Sequence, residues 1–186
     1  DIPMVDQGPK GYCAPATAER AMRHLGVPAD MYILANSGNS GFGGGTSVSA
    51  LLEGIAPQIR NKRRSFDAWK SELKIKDIAK YIDKGVPLMW CLYSTKEFND
   101  VANKRTKERK TITNWAAWKT KVTEEAAAST LAEDRESSHV VLIIGYNKDT
   151  NEIAFSDSWG EDYKERWITL PEAERVSQQY FYVVGF

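Results

Sequence analysis

The chain has 186 residues, 42% of them hydrophobic, enough for one domain to bury a substantial core. Lys plus Arg and Asp plus Glu each total 25, so the formal net charge is zero and no global field draws the chain to nucleic acid or an anionic membrane surface. The longest apolar runs, such as Val140 to Ile144, are strand-sized, which excludes a membrane-spanning helix, and two cysteines with two histidines supply neither a disulfide framework nor zinc-ligand spacing.

The chain starts at Asp1 without an initiator Met or a signal-like segment, which points to a processed, secreted or periplasmic form or to a domain of something longer. From Ala14 to Leu25 the apolar positions Ala14, Ala18, Ala21, Met22 and Leu25 recur at helical spacing, Pro15 suits a first turn and Gly26 is a stop. Asn36 to Gly45 reads as a glycine-rich loop, after which Thr46 or Ser47 caps a second helix through Ala50, Leu51 and Leu52. A third helix, about Ile75 to Asp83, ends at Lys84-Gly85, and Val86 to Tyr93 reads as a buried strand.

Between Ser94 and Ser137 the composition turns charged and Ala-rich, with a basic run from Lys104 to Lys110 and a helical stretch from Trp115 to Leu131. This segment reads as an insertion on the side of the domain, and the basic run as a solvated face rather than a dock for an acidic partner. Strand signals follow at His139 to Tyr146, Glu152 to Ser156, Trp167 to Leu170 and Phe181 to Phe186, with turn chemistry at Asn147, Asp149 and Asn151. Helices first and antiparallel strands second give an α+β fold of two packed layers. The expected organisation is one domain over residues 1–186, with a helical lobe about 1–75, a sheet lobe about 76–186 and an insertion about 94–137.

Acyl transfer by a thiol needs a thiolate, a base in hydrogen-bond reach, a group that orients the base, and donors aimed at the developing oxyanion. Cys13 precedes a helix, where the peptide dipoles favour its anion, and Gly11-Tyr12 form a turn that leaves the sulfur accessible. His24 falls near the far end of that helix and reads as structural. His139 stands at the start of a strand, where a rigid base can face a helix N-terminus. The next strand ends at Ser156-Asp157-Ser158, and hairpin pairing can bring Asp157 level with His139 to hold the ring's tautomer and stabilise its cation. Cys91, within an apolar strand, reads as core packing rather than as a disulfide partner of Cys13.

Gln7-Gly8-Pro9-Lys10-Gly11-Tyr12-Cys13 resembles the nucleophile segment of the papain-like cysteine peptidases. His139 to Tyr146 is similar to that superfamily's His strand, and Asp157-Ser158-Trp159-Gly160 to its Asn-Ser-Trp-Gly motif. The resemblance implies a papain-like fold, with Gln7 donating its side-chain amide to an oxyanion and the Cys13 backbone N–H beside it. It implies that Trp159 packs over the Asp157–His139 hydrogen bond and that Gly44-Gly45 pair with an extended substrate. Tyr12, on the cleft wall or merely packed, and Ser138 complete the substrate-binding candidates with Gly44, Gly45 and Trp159. Ala14-Pro15-Ala16 after the nucleophile, and Asp157 where papain has Asn, are closer to the bacterial bacteriocin-processing branch than to papain itself.

The resemblance implies a cysteine peptidase acting on a peptide or protein substrate, with no metal, no cofactor, no nucleic acid and no membrane span. Two alternatives use the same residues differently: an acyltransferase or transglutaminase-like triad, and a non-catalytic papain-fold binding domain presenting the 94–137 segment. Oligomeric state and compartment stay open at this level.

Overall fold

The computed structural model describes residues 1–8, 11–37 and 48–186, without the side chains of Ser37, Val48, Ser49, Leu52 and Glu53. The expectations for Gly44 and Gly45, and for a cap at Thr46 or Ser47, lie outside the described residues. Among those residues the order is α1 (Cys13–His24), α2 (Met31–Ser37), α3 (Val48–Asn61), β1 (Ser65–Lys70), α4 (Ile75–Ile82), β2 (Leu88–Tyr93), α5 (Lys96–Arg109), α6 (Trp115–Ala127), β3 (Ser138–Asn147), β4 (Glu152–Ser156), β5 (Arg166–Thr169), α7 (Leu170–Val176) and β6 (Ser177–Gly185).

The six strands form one sheet in the order β1-β6-β2-β3-β4-β5, with every neighbouring pair antiparallel. The fold is therefore α+β, with the N-terminal helices packed on an antiparallel sheet as expected. Strand alternation divides the core by face. Met89, Cys91, Val140, Leu142, Tyr182 and Val184 point to a cluster with Ala14, Ala18, Met22, Leu34 and Leu51 of α1, α2 and α3. Leu88, Trp90, Leu92, Val141, Ile143, Phe155 and Phe181 point the other way, to Ile78 of α4, Phe98 and Ala102 of α5 and Ala173 of α7.

Helices therefore cover both faces, and a third layer is added to the two expected. β1 lies within the segment read as the helical lobe and pairs with β6 from Ser65↔Gly185 to Lys70↔Tyr180. The 94–137 segment packs on the sheet. Its helix α5 buries Phe98 and Ala102 completely, with the Phe98 ring 5.4 Å from Phe155 and 6.3 Å from Trp90. The basic run is not simply a solvated face. Arg105 turns inward to Glu172 at 2.8 Å, and Arg109 reaches the buried Glu152 at 2.5 Å while lying 3.7 Å over the Trp167 ring.

Local signals explain the boundaries. α1 stops where Gly26 takes φ +75°, and its N–H donates to the Arg23 carbonyl at 3.0 Å. The β3–β4 turn is set by Asn147 Oδ1, which accepts from the Asp149 and Thr150 N–H groups, and by Asn151 at φ +56°. α7 opens on a capping box in Thr169-Leu170-Pro171-Glu172. No helix among the described residues is long and apolar enough to cross a membrane.

Candidate active site

Cys13 is the first residue of α1. Its N-cap, Tyr12, makes no side-chain cap bond, so the first-turn N–H groups keep their positive end open towards the sulfur. Ala14 and Val140 both make backbone hydrogen bonds to the thiol. The small residues Ala14, Ala18 and Ala21 let α1 lie against the sheet along β3, which fixes the sulfur beside the start of that strand.

His139 is the second residue of β3 and pairs with Leu92 of β2. Asp157 follows β4 directly. The register ends at Ser156↔Leu142, so simple continuation would set Asp157 opposite Val141, two residues short of His139. The chain leaves the ladder instead. The Asp157 N–H donates to the Tyr163 carbonyl at 3.0 Å, and Gly160, at φ +100°, turns the backbone in a conformation that side chains rarely adopt. Asp157 Oδ1 then accepts from His139 Nε2 at 2.5 Å, with the two side chains 1% and 8% exposed. The ring is also hydrogen-bonded to the Cys13 thiol, which leaves Nδ1 for the sulfur.

Burial pushes the Cys13 thiol up, but the hydrogen bond and charge of His139 outweigh it and, with the two backbone bonds, hold the thiol below its ordinary value. Burial pulls the His139 imidazole down, while its bonds to Asp157 and Cys13 raise it to about 9. A lowered thiol beside a raised imidazole favours a thiolate–imidazolium pair. Cys91 behaves oppositely: burial, and then the charge of Cys13, push it up to about 12, and both cysteines are free thiols.

The remaining candidates surround this centre to different degrees. The Gln7 N–H donates to the Ser158 carbonyl at 2.7 Å, tying the segment before Cys13 to the turn after Asp157, and Gln7 Oε1 is buried without a hydrogen-bond partner among the described residues. The Trp159 ring stacks on His139, with centroids 4.9 Å apart and planes 21° from parallel. Tyr12 packs edge-on to Tyr32 of α2 at 5.9 Å. Ser138 is exposed and accepts from Gln178 Nε2 at 2.8 Å. His24 is a structural contact, its Nε2 lying 2.8 Å from the Gly85 carbonyl. Among the described residues no cluster of His, Cys, Asp and Glu is arranged to hold a metal ion.

The family profile described as "Peptidase_C39 like family" matches residues 1–185. The chain belongs to the Peptidase_C39-like family. That membership supports a cysteine peptidase at the level of the family. The peptidase domain of Streptococcus ComA, a bifunctional ABC transporter involved in quorum sensing, has the same fold: TM-score 0.61, 11% identity, covering 100% of this chain and 98% of that one. A putative C39-like peptidase from Bacillus anthracis gives 0.59 at 12% identity over 100% and 96%, and xylellain, a cysteine protease from Xylella fastidiosa, 0.56 at 11% over 100% and 87%. A double-glycine-motif protease from an AMS/PCAT transporter, solved with its leader peptide, gives 0.55 at 10% over 100% and 93%. No curated protein matches this chain.

Two buried arginines of this C39-like chain escaped sequence reasoning. Arg20 of α1 is 1% exposed and ties three segments together: Nε donates to the Pro3 carbonyl at 2.9 Å, Nη2 to Ser156 Oγ at 2.5 Å and Nη1 to Ser158 Oγ at 3.4 Å. Arg166 of β5 donates from Nη2 to Asp157 Oδ2 at 2.5 Å. For Arg20, one signal was available, since it falls among the buried alanines Ala16, Ala18 and Ala21 of its helix. Arg166 carried none, because only the β4–β5 pairing brings it to Asp157.

Proposed function

We propose that this C39-like protein hydrolyses peptide bonds through a Cys13 thiolate and an acyl-enzyme. The observation that carries the reading is the unbroken hydrogen-bonded run from Asp157 Oδ1 through the His139 ring to the thiol at the head of α1. The Cys13 sulfur attacks the carbonyl carbon, and the carbonyl π pair moves onto oxygen. The Gln7 side-chain amide and the Cys13 N–H receive that oxyanion. Its collapse breaks the C–N bond, and the leaving nitrogen takes the proton from the His139 imidazolium. Neutral His139 then removes a proton from water, the hydroxide adds to the thioester, and expulsion of the Cys13 thiolate releases the acid. Asp157 keeps the ring oriented and balances its charge throughout.

The substrate is an extended peptide segment. The leader peptide bound by the double-glycine-motif protease of the same fold supports this class. The test is the rate of iodoacetamide alkylation of each cysteine against pH, read by peptide mass mapping, beside hydrolysis of a mixed peptide library. Cys13 is expected to react rapidly at about pH 6 while Cys91 stays inert. Equal, slow reaction of both thiols would sink the reading. Product analysis with an added amine separates hydrolysis from transfer, since an acyltransferase would give amide in preference to acid.

Gln7 offers a narrower check. Gln7→Ala is expected to lower kcat by about 10²–10³-fold, the usual cost of one oxyanion donor, while leaving the pH dependence of Cys13 alkylation in place. A kcat within a factor of two of the unaltered enzyme would remove Gln7 from the oxyanion site.

A further inference from the structure

We propose that Arg166, anchored by Asn103 of α5, is a positioning residue of this site: its guanidinium balances the buried Asp157 carboxylate and keeps that carboxylate turned to His139. The proposal rests on reading Cys13, His139 and Asp157 as the reactive centre.

The placement follows from the alternation of β4. Ser156 faces α1, where its hydroxyl meets Arg20, whereas Phe155 faces the layer that holds α5, and Asp157 follows directly after the strand. Arg166 pairs with Phe155 across β4 and β5, so its side chain emerges on the same side. It is 3% exposed. Nη2 donates to Asp157 Oδ2 at 2.5 Å and Nη1 to Asn103 Oδ1 at 2.9 Å, and three rings enclose the guanidinium: Phe155 at 5.0 Å, Tyr163 at 5.1 Å and Trp159 at 5.6 Å. A hydrogen-bonded line thus runs from α5, on one face of the sheet, to the thiol carried by α1 on the other.

Each carboxylate oxygen of Asp157 has one cationic partner when the imidazolium forms, Oδ1 from His139 and Oδ2 from Arg166. Thiolate, imidazolium, carboxylate and guanidinium then sum to zero charge in a largely buried site. Without the guanidinium, Asp157 Oδ2 loses its hydrogen-bonded cation, and a buried charge lacking its partner is costly. Among the described residues no other side chain is hydrogen-bonded to Asp157 Oδ2. Arg20 approaches from α1 and its charge also acts on Asp157, but its hydrogen bonds go to neutral oxygens of Pro3, Ser156 and Ser158, so it does not hold the carboxylate's orientation. Cys91 approaches from β2 with its thiol pushed up to about 12. Glu161, in the turn after Gly160, acts on Arg20, and Tyr163 presents its ring face. Asp6 is held by the Gly8 N–H, and α5 brings the uncharged Asn103 and Thr106, whose Oγ1 accepts from the Trp167 N–H, while Arg109 is paired to Glu152.

Removing a positive charge from such a site raises every neighbouring thiol and imidazolium pKa, so both limbs of the pH profile must move upward. A purely structural arginine would lower the folded fraction and leave those limbs in place. The experiment is the pH midpoint of Cys13 alkylation by iodoacetamide, with Cys91 as internal control, in the unaltered protein and in Arg166→Gln, Arg166→Lys and Asn103→Asp. Arg166→Gln is expected to move the midpoint up by about one pH unit, roughly a tenfold slower reaction on the acidic limb. Arg166→Lys, which returns the charge, brings it back towards the unaltered value. Asn103→Asp is isosteric on the exposed side of α5 and folds even if the Gln variant does not; its carboxylate competes for the guanidinium and gives a smaller upward shift.

A reactive Cys13 whose midpoint ignores both Arg166→Gln and Asn103→Asp overturns this proposal alone, and so does a folded Lys variant that shifts as far as Gln. Where Arg166→Gln fails to fold, an unmoved Asn103→Asp midpoint overturns it. An unaltered protein whose Cys13 reacts no faster than Cys91 overturns the peptidase reading and this proposal together.

Discussion

Replacement of His139 by Ala is expected to lower kcat/KM for peptide hydrolysis by about 10⁴-fold or more, the scale on which the loss of a triad base is felt. The reason is double. The variant has no group to protonate the leaving amine, and it also loses the largest influence opposing burial of the Cys13 thiol. Burial then dominates, the thiol rises, and its alkylation should slow towards that of Cys91. On the proposed mechanism the alkaline limb has a definite sign. His139, raised to about 9, must be protonated to complete the ion pair and donate its proton, so activity holds below that value and falls as pH rises through it. On the acidic side the thiol lies below its ordinary value, so activity is lost only as pH falls through that lowered value. The comparison of kcat/KM and alkylation in one pH series checks both limbs. A His139→Ala protein that keeps fast Cys13 alkylation at about pH 6 would show that the helix terminus alone activates the thiol.

Much of this arrangement was legible in the chain. The spacing of Ala14, Ala18, Ala21 and Met22 placed Cys13 at a helix head, because small residues at helical spacing are a local signal that tertiary context did not override. The strand of His139 was read from a run of apolar residues, and β3 begins one residue earlier. Asp157 was expected level with His139, yet the ladder falls two residues short and the turn through Gly160 makes up the difference, a feature of backbone conformation that pairing arguments do not contain. β1 was missed since Ser65-Phe66-Asp67-Ala68-Trp69-Lys70 is a half-exposed edge strand with little apolar alternation. The charged segment was misread for a related reason. Composition could not reveal that the second layer of the sheet needed a cover, nor that Arg105 and Arg109 would find Glu172 and Glu152, which are 67 and 43 residues away in sequence.

The Arg105–Glu172 pair carries the largest stability effect we expect. Glu172→Ala should destabilise the fold by about 3–5 kcal/mol, read as a lowered urea midpoint with an unchanged slope. Arg105 is 1% exposed on its side chain and holds Glu172 through two hydrogen bonds, Nη1 to Oε1 at 2.8 Å and Nη2 to Oε2 at 3.2 Å. Its remaining partner, Glu125, is 35% exposed and pairs at 2.9 Å, so it is too well solvated to compensate a buried guanidinium alone. The same Glu172 side chain accepts from the Thr169 hydroxyl at 2.5 Å and closes the capping box of α7, which adds the loss of a helix start. The cost therefore arises from what the truncation strands, not from the intrinsic strength of the pair. The double variant Arg105→Met/Glu172→Leu removes both charges and fills the space with apolar groups, and it should recover most of the loss. A double variant as unstable as Glu172→Ala would assign the damage to the cap and to packing, and would mean that α5 is held on the sheet by Phe98 and Ala102 rather than by its buried arginine.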